Sequence, residues 1–324
     1  MLSAKFFGEN FYITLHYLAL STQHLLMQQM LRGTGTAIVT PFSADGSIDF
    51  ESFRRLIDHQ LEGGVEMLVP LGSTGENPTI NVAERLDIFR WIIEYVDHRA
   101  IIIAGTGTND TRTSIEFTYE AKNLGADAAL VVTPFYNKPT PDGLFAHFSA
   151  VADIGIPIVM YNVPGRTGLN MNAETTLRCA ELDNIFAIKE ASADLAQCME
   201  IMRNAPRGFV LLSGEDNLTV PLISLGAQGV ISVTSNVVPH EFSRMVRFAL
   251  AGQFEEARAL HYELLDLMKV NFIESNPGPV KAALAMCGII QEHYRLPLVP
   301  VRPESKKKIK EVLGQLDSVM LEEV

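Results

Sequence analysis

The order of residues predicts an α/β protein built as a (β/α)8 barrel of the TIM type with a C-terminal helical extension, and three observations carry that reading. Eight short apolar runs recur at a spacing of roughly 25 to 35 residues, with amphipathic stretches between them. The runs are near-continuously hydrophobic, as strands of a parallel sheet are when both faces are covered. The rival architecture, a doubly wound open sheet, lacks its signature: no GxGxxG follows the first strand, and Gly33-Thr34-Gly35 stands before a strand, the wrong context for a dinucleotide loop.

Taken in order, the strands are expected over Thr36–Thr40, Met67–Leu71, Ala100–Ala104, Ala128–Thr133, Pro157–Asn162, Ile185–Lys189, Phe209–Ser213 and Gly229–Val233. Asp49-Phe50-Glu51 opens a helix whose Phe53, Leu56, Ile57 and Leu61 fall close to one stripe. Asn81 to Asp97 places Leu86, Phe89, Ile92 and Ile93 on one face, with acids early, where the helix dipole favours them. Gly125-Ala126-Asp127 and Gly226-Ala227-Gln228-Gly229 fall where an αβ loop must turn, and glycine suits the left-handed cap there. From Gln253 onward the pattern is helical only, over Phe254–Met268, Pro279–Cys287 and Glu304–Leu321. The expected organisation is therefore an extension of unknown role at 1–29, the barrel at 30–252 and a helical region at 253–324 suited to an oligomer contact.

Within the extension, FYITLHYLAL (Phe11 to Leu20) is apolar but broken by His16, follows only Lys5 and has no small-residue cleavage site, which disfavours a secretory signal. It reads as a helical extension or as an early start codon, since Met30 directly precedes the first clear strand. No apolar run reaches the roughly 18 residues of a membrane span. With 26 Lys and Arg against 38 Asp and Glu, the net charge of -12 argues against nucleic acid or an anionic membrane as a main partner. Three scattered cysteines, Cys179, Cys198 and Cys287, fit buried free thiols in a reducing compartment, the cytoplasm, and not a disulfide framework or zinc site.

Barrel chemistry sits at the C-terminal ends of strands. Strand two ends in Gly72-Ser73-Thr74-Gly75-Glu76, whose hydroxyls and backbone N–H groups suit a carboxylate; the same residues suit equally a helix N-cap with glycine-enabled turns. Strands four and five end near Tyr136 and Tyr161, either of which, taken singly, reads as packing with a satisfied hydroxyl. Arg166, in a Pro/Gly-shaped loop, is suited to clamping a carboxylate. Strand six carries Lys189 late in an apolar run, where burial would lower its pKa and free the amine to attack a carbonyl. The residue pattern alone leaves a structural lysine, paired or reaching to the rim, ahead of that reading. No phosphate loop, metal cluster or Ser/His/Asp order competes with it, so no cofactor or metal is expected.

GTGTAIVTPF, GSTGE, AGTGTN, VTPFYNKP, YNVPGRTG, IKEAS, LLSGED and GVISVTSN, in this order and spacing between about Gly33 and Pro300, resemble the dihydrodipicolinate synthase/N-acetylneuraminate lyase family. The resemblance implies a class I aldolase in which Lys189 forms a Schiff base with pyruvate and Tyr161 is the general acid and base. It implies that Ser73, where the synthases commonly have Thr, relays protons between Tyr161 and a Tyr136 lent by a neighbouring subunit. Thr74 would bind the pyruvate carboxylate with backbone help from Ile231, and Arg166 the carboxylate of L-aspartate 4-semialdehyde. The implied product is 4-hydroxy-tetrahydrodipicolinate, of lysine and diaminopimelate biosynthesis, made by a homo-oligomer arranged as a dimer of dimers. Ser73 makes GSTGE look more like the sialic-acid lyase branch, whereas Arg166 argues for the synthase branch. Alternatives are a lyase for sialic acid or a keto-deoxy sugar acid, and a non-catalytic barrel that binds a keto acid. Lysine-inhibited relatives bind lysine through a His, a Glu and a Tyr; Val82, Thr113 and Phe135 stand in their place, with only Asn109 kept, so weak or absent inhibition is expected.

Overall fold

The computed structural model describes residues 25–320, and in it eight parallel strands close into a barrel in sequence order. They are β1 (Gly33–Thr36), β2 (Met67–Leu68), β3 (Ile101–Gly105), β4 (Ala128–Val132), β5 (Ile158–Asn162), β6 (Ile185–Glu190), β7 (Val210–Ser213) and β8 (Gly229–Ser232). The helices that follow them are α1 (Phe50–Glu62), α2 (Val82–Val96), α3 (Thr111–Leu124), α4 (Pro141–Ala152), α5 (Ala173–Ala180), α6 (Leu195–Asn204), α7 (Thr219–Ser224) and α8 (Pro239–Leu250). Inward side chains such as Met67, Ile103, Val159, Phe186, Leu212 and Ile231 fill the barrel, and a larger apolar layer lies between strands and helices.

Strand one begins three residues earlier than its apolar run suggests. Closure requires β1 to pair with β8, with Gly33 opposite Gly229, and a Cβ at Gly229 would sit 2.0 Å from the Gly33 carbonyl oxygen. Gly229 can therefore carry no side chain if the last strand is to reach the first, and Gly33, at φ +106°, takes a backbone conformation that favours glycine. β2 is shorter than expected because Leu71, at φ +56°, turns the chain out of the sheet and into the loop that follows.

Helix α1 starts where Asp49 accepts from the Ser52 backbone N–H at 3.0 Å, and it buries Phe53, Leu56 and Ile57. Its fourth inward position is taken by Gln60 in place of Leu61; the Gln60 amide bonds the Thr36 hydroxyl at 2.8 Å and the Asn236 carbonyl at 3.0 Å. In α2, which opens with a capping box between Asn81 and Glu84, the buried face is Arg85, Ile88, Phe89, Ile92 and Val96. The expected stripe is rotated, with Leu86 and Ile93 half-buried, because Arg85 faces inward to donate to the Gly105 carbonyl. Gly125 (φ +97°) ends α3 in the left-handed region as expected, and Gly226 takes φ +116° after α7.

Three helices follow among the described residues: α9 (Phe254–Val270), α10 (Gly278–Met286) and α11 (Pro303–Met320), each within two residues of its expected bounds. Cys179 and Cys198 are buried free thiols, but Cys287 is exposed, since it lies just past the end of α10. Of the expected N-terminal extension, residues 1–24 lie outside the described residues, and residues 25–30 are helical. Among the described residues no helix is long and apolar enough to cross a membrane, and no cluster of His, Cys, Asp or Glu could hold a metal ion.

Candidate active site

The centre of the site is set by strand register. β5 and β6 pair so that Tyr161 lies opposite Lys189, and the Lys189 Nζ sits 4.5 Å from the centroid of the Tyr161 ring. Alternation along β6 sends Ala187 and Lys189 into the barrel and Ile188 and Glu190 outward. Glu190 is accounted for locally, accepting from Asn162, Ser192 and Gln197.

Lys189 is only 5% exposed, and burial lowers its pKa to about 8, with the positive field of Arg166 acting the same way and Asp216 and Glu215 opposing it. The Tyr161 hydroxyl is pushed up to about 12, chiefly by burial; a hydrogen bond from Ser73 works against that shift. A tyrosine held neutral beside an amine poised near neutrality is suited to passing protons to and from a carbonyl-derived intermediate.

Ser73 to Gly75 form one 3-10 turn after β2, and Thr74 Oγ1 accepts from the Asn276 side-chain amide at 2.9 Å. Arg166 lies on a helical turn, Pro164–Thr167, and its guanidinium donates to the Asn276 backbone carbonyl at 3.1 Å. Ser73, Thr74, Tyr161, Arg166, Lys189, Glu215 and Asn276 all line one small cavity of about 50 Å³. That is room for a few water-sized groups. A larger space of about 450 Å³ opens beside it and shares Ser73, Tyr161, Arg166 and Asn276. Lys189 lines the smaller cavity and not the larger one.

Ser73, Thr74, Tyr161, Arg166 and Lys189 are therefore brought together as the sequence reading expects. Ile231 is fully buried on β8 opposite Gly35, and it lines neither cavity. Tyr136 is 90% exposed and also lines neither. Its backbone is at φ +71°, and the next residue, Asn137, donates to the Asn109 carbonyl at 2.8 Å. Of the positions weighed for lysine binding, Val82 is 58% exposed at the start of α2, and the Thr113 hydroxyl is engaged with Asp110. Phe135 lines the larger cavity.

Three residues of the site went unassigned in the sequence reading. Glu215 and Asp216 follow β7; both carboxyls are raised by burial, and both supply negative charge to Lys189. Asp216 Oδ2 accepts from the Thr234 N–H at 2.8 Å, while Oδ1 is buried without a partner. Adjacent acids at the end of a strand were a visible signal, because a buried lysine needs nearby counter-charge. Asn276 had a weaker one, its place in the Asn276-Pro277-Gly278-Pro279 run between helices.

The model of the dihydrodipicolinate synthetase family matches residues 30–316. A 4-hydroxy-tetrahydrodipicolinate synthase of Koribacter versatilis is 47% identical over 287 residues, covering 88% of this chain and 96% of that protein. The crystal structure of the dihydrodipicolinate synthase of Thermotoga maritima superposes with a TM-score of 0.87 at 43% identity, over 89% of this chain and 99% of that one. That of a chloride-inhibited dihydrodipicolinate synthase of Acinetobacter baumannii complexed with pyruvate does so with a TM-score of 0.87 at 40% identity, over 89% and 99%.

Proposed function

The chain belongs to the dihydrodipicolinate synthetase family, and we propose that it condenses pyruvate with L-aspartate 4-semialdehyde to 4-hydroxy-tetrahydrodipicolinate, using Lys189 as a Schiff-base nucleophile. The observation that carries this reading is the buried Lys189–Tyr161 pair at one register of the barrel, beside hydroxyls and an arginine suited to carboxylates.

In this reading the neutral Lys189 amine adds to the pyruvate carbonyl, and loss of water leaves an iminium. The iminium withdraws electrons from the methyl group, whose proton is then removed to give an enamine. The enamine carbon attacks the aldehyde of the semialdehyde. Its amino group then displaces Lys189 from the iminium, which closes the ring and frees the enzyme. Tyr161 shuttles the protons, with Ser73 relaying them toward the Tyr136 of a second copy. Thr74 holds the pyruvate carboxylate, aided by the backbone at Ile231, and Arg166 orients the aldehyde partner, so that binding energy serves positioning. The arrangement calls for a second copy, since Tyr136 stands away from its own cavity, and the family resemblance extends this to a homo-oligomer arranged as a dimer of dimers. The buried free thiols Cys179 and Cys198 suit the cytoplasm.

Borohydride reduction in the presence of pyruvate tests the nucleophile. The expected result is a mass adduct on Lys189, absent from Lys189→Ala. No adduct on the native protein would remove the aldolase reading altogether and leave a keto-acid-binding barrel. Turnover of aspartate semialdehyde, set against sialic acid and keto-deoxy sugar acids, tests the substrate; preference for a sugar acid would move the chain to the lyase branch that its Ser73 resembles.

A further inference from the structure

We propose that the buried ion pair between Glu76 and Lys281 is a positioning device that holds Thr74 and Asn276 together as two halves of one carboxylate cradle. It deepens the reading above, resting on Thr74 as a pyruvate ligand.

Glu76 closes the turn that carries Ser73 and Thr74, with its own backbone left-handed at φ +55°. Lys281 lies in the first turn of α10, five residues after Asn276. Their side chains are 0% exposed and meet at 2.6 Å. The Lys281 ammonium also donates to the Thr40 carbonyl at 3.0 Å, and the Thr40 hydroxyl donates to the Gly75 carbonyl at 2.7 Å. The Phe42 and Tyr294 rings stand 4.4 and 5.1 Å from Nζ and screen the pair from water. One cation thus fixes the turn after β2 at two adjacent residues, while the segment leading into its helix presents Asn276 to the Thr74 hydroxyl.

A wholly apolar filling of this space would serve packing as well, because a buried ion pair is a weak source of stability; what it adds is a single geometry. Glu76 lines the larger cavity, and neither it nor Lys281 lines the small one. Their reach to the small cavity runs through Thr74, on the turn that Glu76 closes, and through Asn276, just before the helix of Lys281, both of which line it.

The test uses the double variant Glu76→Gln/Lys281→Met, which leaves no lone buried charge, alongside Thr40→Val, which keeps the ion pair and removes only its link to Gly75. For each, borohydride trapping of Lys189 is titrated with pyruvate, and the pyruvate KM and kcat are measured with thermal unfolding alongside. The double variant is expected to need at least about tenfold more pyruvate for half-maximal trapping, and to reach native trapping at saturation, with Thr40→Val shifted the same way by less. A pyruvate dependence unchanged in both variants, whatever happens to the melting temperature, would overturn the proposal and leave the pair a packing feature. Should the double variant not fold, an unchanged pyruvate curve for Thr40→Val has the same force. Failure of the native protein to trap at all would instead sink the functional reading, so the two failures are distinguishable.

Discussion

A lysine set among apolar strands loses the water that would solvate its ammonium, and Lys189 answers by giving up its proton near pH 8 where the free side chain would hold it to 10.5. Between those values the unfolded chain binds more protons than the folded one, so this residue makes stability rise with pH across that window. Below about pH 8 the folded protein carries the whole cost of the buried charge, on the order of 3 kcal/mol, and above 10.5 it carries none. Lys189→Met is therefore expected to be inactive yet more resistant to urea at pH 7, by about 1–3 kcal/mol, with the gain shrinking toward pH 10.5. Equal or lower resistance at pH 7 would mean that Glu215 and Asp216 neutralise the ammonium more fully than its pKa implies. Sequence alone could show that Lys189 sat in an apolar strand, but not which carboxylates faced it. Glu215 and Asp216 lie 26 and 27 residues further on, and it is the pairing of β7 with β6, Leu212 opposite Lys189, that brings them to it.

The elements themselves were largely legible because their burial pattern is written in the chain: most strands other than β1 are mainly apolar, and the helices carry capping residues such as Asp49, Asn81 and Asp110. Misreadings fall where tertiary contact overrides local pattern. β1 starts before its apolar run because Gly33 and Gly35 look like loop, although both pair with β8 at a seam where a Cβ on the facing Gly229 would meet the Gly33 backbone and one on Gly35 would crowd Ile231 and Val230. The α2 stripe was rotated because Arg85 looks like a surface residue, although its guanidinium reaches the Gly105 carbonyl at 3.0 Å and stands 4.0 Å from the Phe117 ring centroid. That seam yields a sharp expectation. Gly229→Ala should cost several kcal/mol, more than the ~1 kcal/mol of a lost helix cap such as Asn81→Ala, because the added Cβ meets backbone that cannot turn aside. Chemical denaturation of both variants checks the order; equal losses would mean that β1 shifts to admit the methyl group.

At the scale of the whole molecule, Tyr136 is what a single copy leaves unexplained: an aromatic side chain 90% exposed on a left-handed backbone. If a second copy receives it, mixing inactive Lys189→Ala protein with inactive Tyr136→Ala protein, under conditions that exchange subunits, should restore up to about a quarter of native activity. Each mixed pair then holds one complete site, and no recovery would mean that Tyr136 serves its own chain or none. Free lysine at millimolar concentration is expected to change the rate of the purified enzyme by less than about twofold, because Val82 offers no charge and the Thr113 hydroxyl is already engaged with Asp110; strong inhibition in a steady-state assay would show that other groups bind it. The register of Tyr161 against Lys189 has one more consequence. In the proposed reading bond making belongs to the staves of the barrel, whereas recognition belongs to its rim, where Arg166 sits on a turn after β5. The two can therefore be altered separately. Arg166→Ala should still be trapped by pyruvate and borohydride while losing most of its use of aspartate semialdehyde, and a rim redrawn for another aldehyde would inherit a working nucleophile unchanged.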